Sequence, residues 1–143
     1  MQVKDLLARK GRDVATISQE RTVSDALSLL RERGIGALIV TGATEPLVGI
    51  FSERDAVRAL AAHGANALTM TVADLMSSQV TTCKEATSID SLMALMTDKR
   101  IRHVPVVEDG ALIGMVSIGD VVKYRVDELE NEKRDLIEYV SAR

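Results

Sequence analysis

Apolar positions recur in two matched series along this chain. Val23, Ala26, Leu27 and Leu30 fall on one face of a helix, and Ile89, Leu92, Met93 and Met96 repeat the same steps further on. Each series leads into a continuous apolar run, Ala37 to Val40 or Val104 to Val107, of the length of a buried strand. A turn follows each run, Thr41 to Pro46 in one case and Glu108-Asp109-Gly110 in the other. A second apolar stretch comes next, and glycine in the intervening turn signals a hairpin.

That second stretch carries the sharpest repeat. Gly49-Ile50-Phe51-Ser52-Glu53-Arg54-Asp55 is matched 65 positions later by Gly114-Met115-Val116-Ser117-Ile118-Gly119-Asp120. Glycine, hydroxyl and carboxylate keep one mutual spacing in both copies. The pattern predicts a strand that ends at a serine, which starts a helix. Ser-x-x-Asp there places a hydroxyl at the N-cap and a carboxylate at N3, a capping box with Asp in place of Glu or Gln.

The outer parts of the copies match as well. Val3-Lys4-Asp5-Leu6-Leu7 begins a short helix that Gly11 ends, and Val72-Ala73-Asp74-Leu75-Met76 is its counterpart. Val14 to Ile17 and Val80 to Cys83 read as short strands. Each copy is thus helix-strand-helix-strand-strand-helix. The expected fold class is α/β (α+β): two pseudo-twofold-related repeats, each a small three-stranded sheet with flanking helices. The expected limits are 1–66 and 67–123, followed by a charged C-terminal helix over 124–143. The helix that starts after Asp120 is expected to run on through this segment, and in it Val122, Val126, Leu129, Lys133, Leu136 and Val140 form a heptad seam with one polar interruption. It packs either on its own module or on a second copy.

Composition narrows the function. Of 143 residues 46% are apolar but only 2% aromatic, so the core is aliphatic. With no Trp and one Phe there is no stacking platform for single-stranded nucleic acid, and a net charge of −3 disfavours nucleic acid in general. No apolar run has the length of a membrane span, and the charged start, Met1 to Asp5, lacks a signal-peptide core. The expectation is a cytoplasmic protein without nucleic-acid or membrane partners. One cysteine, Cys83, excludes an internal disulfide and a cysteine-rich zinc site. No nucleophile–base pair, metal-ligand cluster or Gly-rich phosphate loop stands out, so a non-enzyme is expected.

The repeated polar residues suit a nucleotide. Asp55 and Asp120 can each accept hydrogen bonds from both hydroxyls of a ribose. Ser52 and Ser117 stand at helix starts, where free N–H groups favour phosphate; the same serines also serve as caps alone. Arg54, Arg102 and His103 are candidate phosphate contacts, or else solvated charges and a strand histidine. Backbone groups at Ile35 and Ile101 can read an adenine edge, with Ile50 and Met115 against its face or simply in the core.

The paired pattern resembles the CBS domain, named after cystathionine β-synthase, and two in tandem resemble a Bateman module. The resemblance rests on Arg102-His103-Val104-Pro105-Val106-Val107 with Gly114 to Asp120, and on Gly49 to Asp55. It runs from Val3 to about Lys123; Ile39 departs from it, standing where Pro105 stands in the second copy. The resemblance implies a regulatory sensor of adenine nucleotides: AMP first, with ATP, ADP or NAD(H) as alternatives. It implies crossed clefts, Asp55 with Arg102 and His103, and Asp120 with Gly36 and Ala37. The implied contacts also include Thr16, Thr22, Thr82, Thr87 and Gly119. On this reading the clefts are unequal: Arg54, Arg102 and His103 make the Asp55 cleft the more phosphate-selective, and the Asp120 cleft relies more on backbone donors. A homodimer acting on an effector protein in trans is expected; the alternative is a ligand-free dimerisation or protein-interaction module.

Overall fold

The computed structural model describes residues 1–142. Its elements run α1 (Val3–Lys10), β1 (Thr16–Ser18), α2 (Val23–Arg33), β2 (Ala37–Thr41), β3 (Gly49–Ser52), α3 (Glu53–His63), a 3-10 turn (Gly64–Thr69), α4 (Val72–Leu75), α5 (Ile89–Lys99), β4 (His103–Glu108), β5 (Ala111–Ser117) and α6 (Ile118–Ser141).

Local chemistry sets the helix ends. The Thr22 hydroxyl caps α2 by accepting from the Asp25 N–H at 3.1 Å. Its counterpart differs: Ser88 caps α5, while the Thr87 hydroxyl accepts from the Lys84 N–H at 3.0 Å. Gly34 ends α2 in the left-handed region at φ 61°, where a missing Cβ removes the steric penalty. Arg100 ends α5 in the same conformation at φ 54°, at a cost of roughly 1 kcal/mol.

In the first sheet β1 runs parallel to β2, and β2 antiparallel to β3. In the second, β4 pairs antiparallel with β5, and Pro105 faces Met115 as Ile39 faces Ile50. The third strand expected at Val80–Cys83 is reduced to a single bridge, Cys83 to Val106. Proline is the cause. The Ile39 N–H donates to the Ala15 carbonyl at 3.0 Å, whereas Pro105 has no N–H to offer Thr81, the residue that corresponds to Ala15. Only the bonds on either side of Cys83 survive, Cys83 N–H to the Pro105 carbonyl and Val107 N–H to the Cys83 carbonyl, both 3.0 Å.

The first helices change places. Val3, Leu6 and Leu7 of α1 are buried with Ile89, Leu92, Val104, Val116 and Val121 in the second copy's core. Val72 of α4 is buried with Val23, Leu38, Val40 and Phe51 in the first copy's core, with Leu75 and Met76 packed against it. Backbone bonds hold each guest: Val3 N–H to the Thr87 carbonyl and Val72 N–H to the Arg21 carbonyl, both 2.8 Å. The sequence copies are therefore interlocked.

The helix after Asp120 is the long one expected: the charged C-terminal segment continues α6 as far as Ser141. At 24 residues α6 is about 36 Å long. Val122, Val126, Leu129, Leu136 and Val140 of its seam are all exposed, as are Val57 and Leu60 on α3.

Candidate functional site

The two capping boxes form as expected, and both are occupied reciprocally. Asp55 Oδ2 accepts from the Ser52 backbone N–H at 2.8 Å and the Ser52 hydroxyl at 3.0 Å. Asp120 Oδ2 accepts from the Ser117 backbone N–H at 2.9 Å. Each carboxylate is thereby fixed in the first turn of a helix, just past the end of β3 or β5.

A cavity of about 510 Å³ opens at Asp55, within the range of small-molecule sites. One wall is Gly36, Ile50, Ser52, Glu53, Arg54, Asp55, Val57 and Arg58; the other is Ser77, Gln79, Val80, Thr81 and the run Lys99 to His103. The walls come from different copies, so the cavity is crossed in the sense expected for Asp55. Asp55 is only 6% exposed, a buried carboxylate beside a cavity. Its Oδ1 accepts from the Ser77 hydroxyl at 2.8 Å. Backbone bonds in both directions between Ser77 and Ile50, each 2.9 Å, hold that hydroxyl in place.

Opposite Asp55 the wall is cationic. Arg54 crosses to it, its guanidinium donating to the Arg100 carbonyl at 2.8 Å. Among the described residues, Lys99, Arg100 and Arg102 on that wall take part in no side-chain ion pair, nor does Arg58 on the wall of Asp55 itself. His103 lies against Gly36, where an added Cβ would come within 3.2 Å of its Cε1. Burial holds the His103 pKa below its ordinary value; Glu53 and Asp120 oppose that shift, and Lys10 and Arg102 add to it. The imidazole is therefore neutral at neutral pH.

The Asp120 side is different. The Lys10 ammonium, at the end of α1, donates to Asp120 Oδ2 at 2.6 Å and to the Met115 carbonyl at 2.7 Å. Burial raises the Asp120 pKa, but bonds from Lys10 and the Ser117 backbone outweigh it and hold the carboxyl below its ordinary value. Besides the backbone donors expected there, Asp120 thus has a cation beside it, brought by the exchanged helix.

Of the residues expected at the site, the cavity gathers Gly36, Ile50, Ser52, Arg54, Asp55, Ile101, Arg102 and His103. Ile35 lines a neighbouring recess with Leu27 and Arg31. Ala37 is buried in β2, and Thr16 and Thr82 are exposed. Thr22 and Thr87 serve local backbone bonds. Met115, Ser117 and Asp120 meet around Lys10, and Gly119 lies in the first turn of α6 beside Ser117. Sequence reasoning missed Ser77, Thr81, Lys99, Arg100 and Lys10. The charges of Lys99 and Arg100, directly before Arg102 and His103, were a readable signal; Ser77 and Lys10 had none, because the helix exchange delivers them. Among the described residues no group of three or more His, Cys, Asp or Glu could hold a metal ion. No helix among them is long and apolar enough to cross a membrane.

Two interlocked α/β repeats with a cavity walled by both define a tandem-repeat module. The chain belongs to the CBS-domain family, whose pattern matches residues 3–62 and again 72–127. It is 36% identical to the mitochondrial CBS domain-containing protein CBSX3 of Arabidopsis thaliana, over 96% of this chain and 71% of that protein. A solved CBS-domain protein of Agrobacterium tumefaciens superposes with a TM-score of 0.85 at 48% identity, covering 87% of this chain and 92% of the other. The CBS domain pair of protein MJ0100, solved in complex with 5′-methylthioadenosine and S-adenosyl-L-methionine, gives 0.78 at 26% identity, covering 90% and 98%.

Proposed function

We propose that this protein is a non-catalytic sensor that binds a phosphorylated adenosine in the Asp55 cleft. One observation carries the reading: a buried carboxylate and a set of unpaired cations face each other across one cavity of about 510 Å³. A carboxylate accepts from a ribose diol, and guanidinium groups pair with phosphate. The relative that binds methylthioadenosine and S-adenosylmethionine supports an adenosine ligand. The cations here favour an anionic one, with AMP first and ADP, ATP or NAD(H) as alternatives. Asp55 would exchange the Ser77 hydroxyl for the ribose, Ile50 and Ile101 would flank the base, and Arg102 and its neighbours would take the phosphate.

Ligand binding shifts a regulatory equilibrium only through unequal affinity for two states. Because the cleft walls belong to different copies, a ligand touching both would bias their relative placement. The apolar side chains exposed on α3 and α6 favour a homodimer as the assembly that transmits the change to an effector protein, within the cytoplasm. Sedimentation of the full chain at micromolar concentration should give a dimer, and a monomer would reject that assembly.

Thermal melting with AMP, adenosine and GMP tests the ligand. AMP at about 100 times its dissociation constant should stabilise by about 2.7 kcal/mol. Adenosine should do less at equal concentration, and GMP least. No shift with AMP, ATP or NADH at millimolar concentration would reject the sensor reading.

A further inference from the structure

We propose that the outer half of α6 pairs with the same helix of a second chain, parallel and in register, as a two-stranded coiled coil. The inference rests on the homodimer proposed above and says where, and in which orientation, the two chains meet.

This part of the helix stands clear of its own chain. Every residue from Leu129 to Ala142 is exposed, and the CBS-domain pattern ends at residue 127. The apolar side chains nevertheless keep one line. Val122, Val126, Leu129, Leu136 and Val140 are between 47% and 64% exposed along it, and Lys133 is its one polar step. The spacing sets Val126, Lys133 and Val140 at heptad position a, and Val122, Leu129 and Leu136 at d. So narrow a stripe is the seam for one partner helix, not the broad face of a helix laid on a core. Valine at a with leucine at d favours two parallel strands, and a single polar residue at a fixes their register.

Charge points the same way. Glu130 stands at e and Glu132 at g, on either side of the seam that holds Lys133. Among the described residues none of these three takes part in a side-chain ion pair. In a parallel pair a g residue flanks the following a residue of the other helix, so each Lys133 meets Glu132 of the second chain. The two lysines also approach each other, but their aliphatic stems pack in the seam while the ammonium groups swing out to those carboxylates. An antiparallel pair with full overlap sets Val122 against Val140. It thereby brings Glu130 against Glu130 and Glu132 against Glu132, and such like-charge contacts select against that orientation.

The test uses the full chain. Wild-type protein should sediment as a dimer at micromolar concentration. Leu129 and Leu136 are 61% and 64% exposed, so Leu129→Glu with Leu136→Glu should leave the fold intact. It should weaken the dimer at least about tenfold. Cysteine cross-linking reads the orientation, because Cys83 is buried and leaves an engineered surface thiol to react alone. Leu129→Cys and Leu136→Cys should each link to its own kind under mild oxidation, since d faces d in a parallel pair. Asn131→Cys, on the outer side of the helix, should not. Val126→Cys mixed with Leu136→Cys should give no mixed link, the two positions lying about 15 Å apart along parallel helices. Mixed links without self-links would make the pair antiparallel and overturn the proposal. A dimer that the two glutamates leave unchanged would overturn it as well, and would place the homodimer on another face. A monomeric wild-type protein would overturn the homodimer and the seam together.

Discussion

A double-mutant cycle on Asp55 and Arg102 tests whether one ligand spans both copies. The two residues lie on opposite walls of one cavity and share no hydrogen bond. Coupling between them that appears for AMP and not for adenosine therefore reports one ligand touching both. A hydrogen bond to a charged group is worth about 1.5–3 kcal/mol. Arg102 is exposed, so the lower end applies, and Arg102→Ala should weaken AMP about tenfold with little effect on adenosine. Asp55 is buried, so Asp55→Ala should cost about 2–3 kcal/mol, roughly 30- to 150-fold. Asp55→Ala also strips the α3 capping box, a stability loss of about 1 kcal/mol, so Asp55→Asn is run beside it. Calorimetric affinities for AMP and adenosine in the single and double variants should give a coupling of at least about 0.5 kcal/mol for AMP. Asp120→Ala with Arg102→Ala should be additive within about 0.5 kcal/mol. Coupling of Arg102 with Asp120 instead of Asp55 would assign each cleft to one copy and refute the crossed arrangement.

Three further outcomes are expected. Arg100→Gly relieves the left-handed backbone at φ 54° and should raise the melting temperature by about 2–4 °C, while weakening AMP by removing a cation from the cavity rim; a lower melting temperature would contradict the strain. Gly49→Ala would put a Cβ 2.5 Å from Met76 Sδ and 2.8 Å from the Ser77 carbonyl, whereas Gly114→Ala meets only the flexible Leu7 side chain at 2.9 Å. By thermal melting Gly49→Ala should therefore cost more, about 1–3 kcal/mol, and equal losses would count against the difference. His103 has a folded-state pKa below its ordinary 6.5, so the unfolded chain takes up the proton more readily. Its contribution is fully present above pH 6.5 and is lost as pH falls from there through the folded-state value. His103→Gln should flatten the melting curve across that window, and an unchanged pH dependence would place the cause elsewhere.

Much of this was legible in the chain. Period-three-and-four apolar steps located α2 and α5, and the repeated cassette located β3, β5 and both capped helices. The crossed Asp55 cleft was reachable only through the family resemblance. What escaped was tertiary. The apolar pattern of Val3, Leu6 and Leu7 says that α1 buries a face, and it reads the same whichever core receives it. Ser77 and Lys10 were hidden for that reason, since neither lies near its aspartate in sequence. Thr87 stands where Thr22 stands in the first copy, yet the next residue, Ser88, caps the helix, since either hydroxyl can cap.

Pro105 was visible from the start, yet its consequence lies across the molecule. Without an N–H it cannot hold the strand before Cys83 in the ladder, so Val80 and Thr81 are left to line the Asp55 cavity. Ile39, at the same register in the first sheet, keeps its bond to Ala15, and β1 stays a strand of three residues. A single imino acid thus unzips one sheet edge next to one cleft and leaves the other sheet whole. The helix exchange adds a hydroxyl to the opened cleft and an ammonium to the other. Both departures from symmetry act in one direction. The Asp55 side gains wall length and unpaired cations, while on the other side the Asp120 carboxylate is already paired with Lys10. The repeated Ser-x-x-Asp cassette thus stands in two different environments, and both aspartates keep their capping boxes.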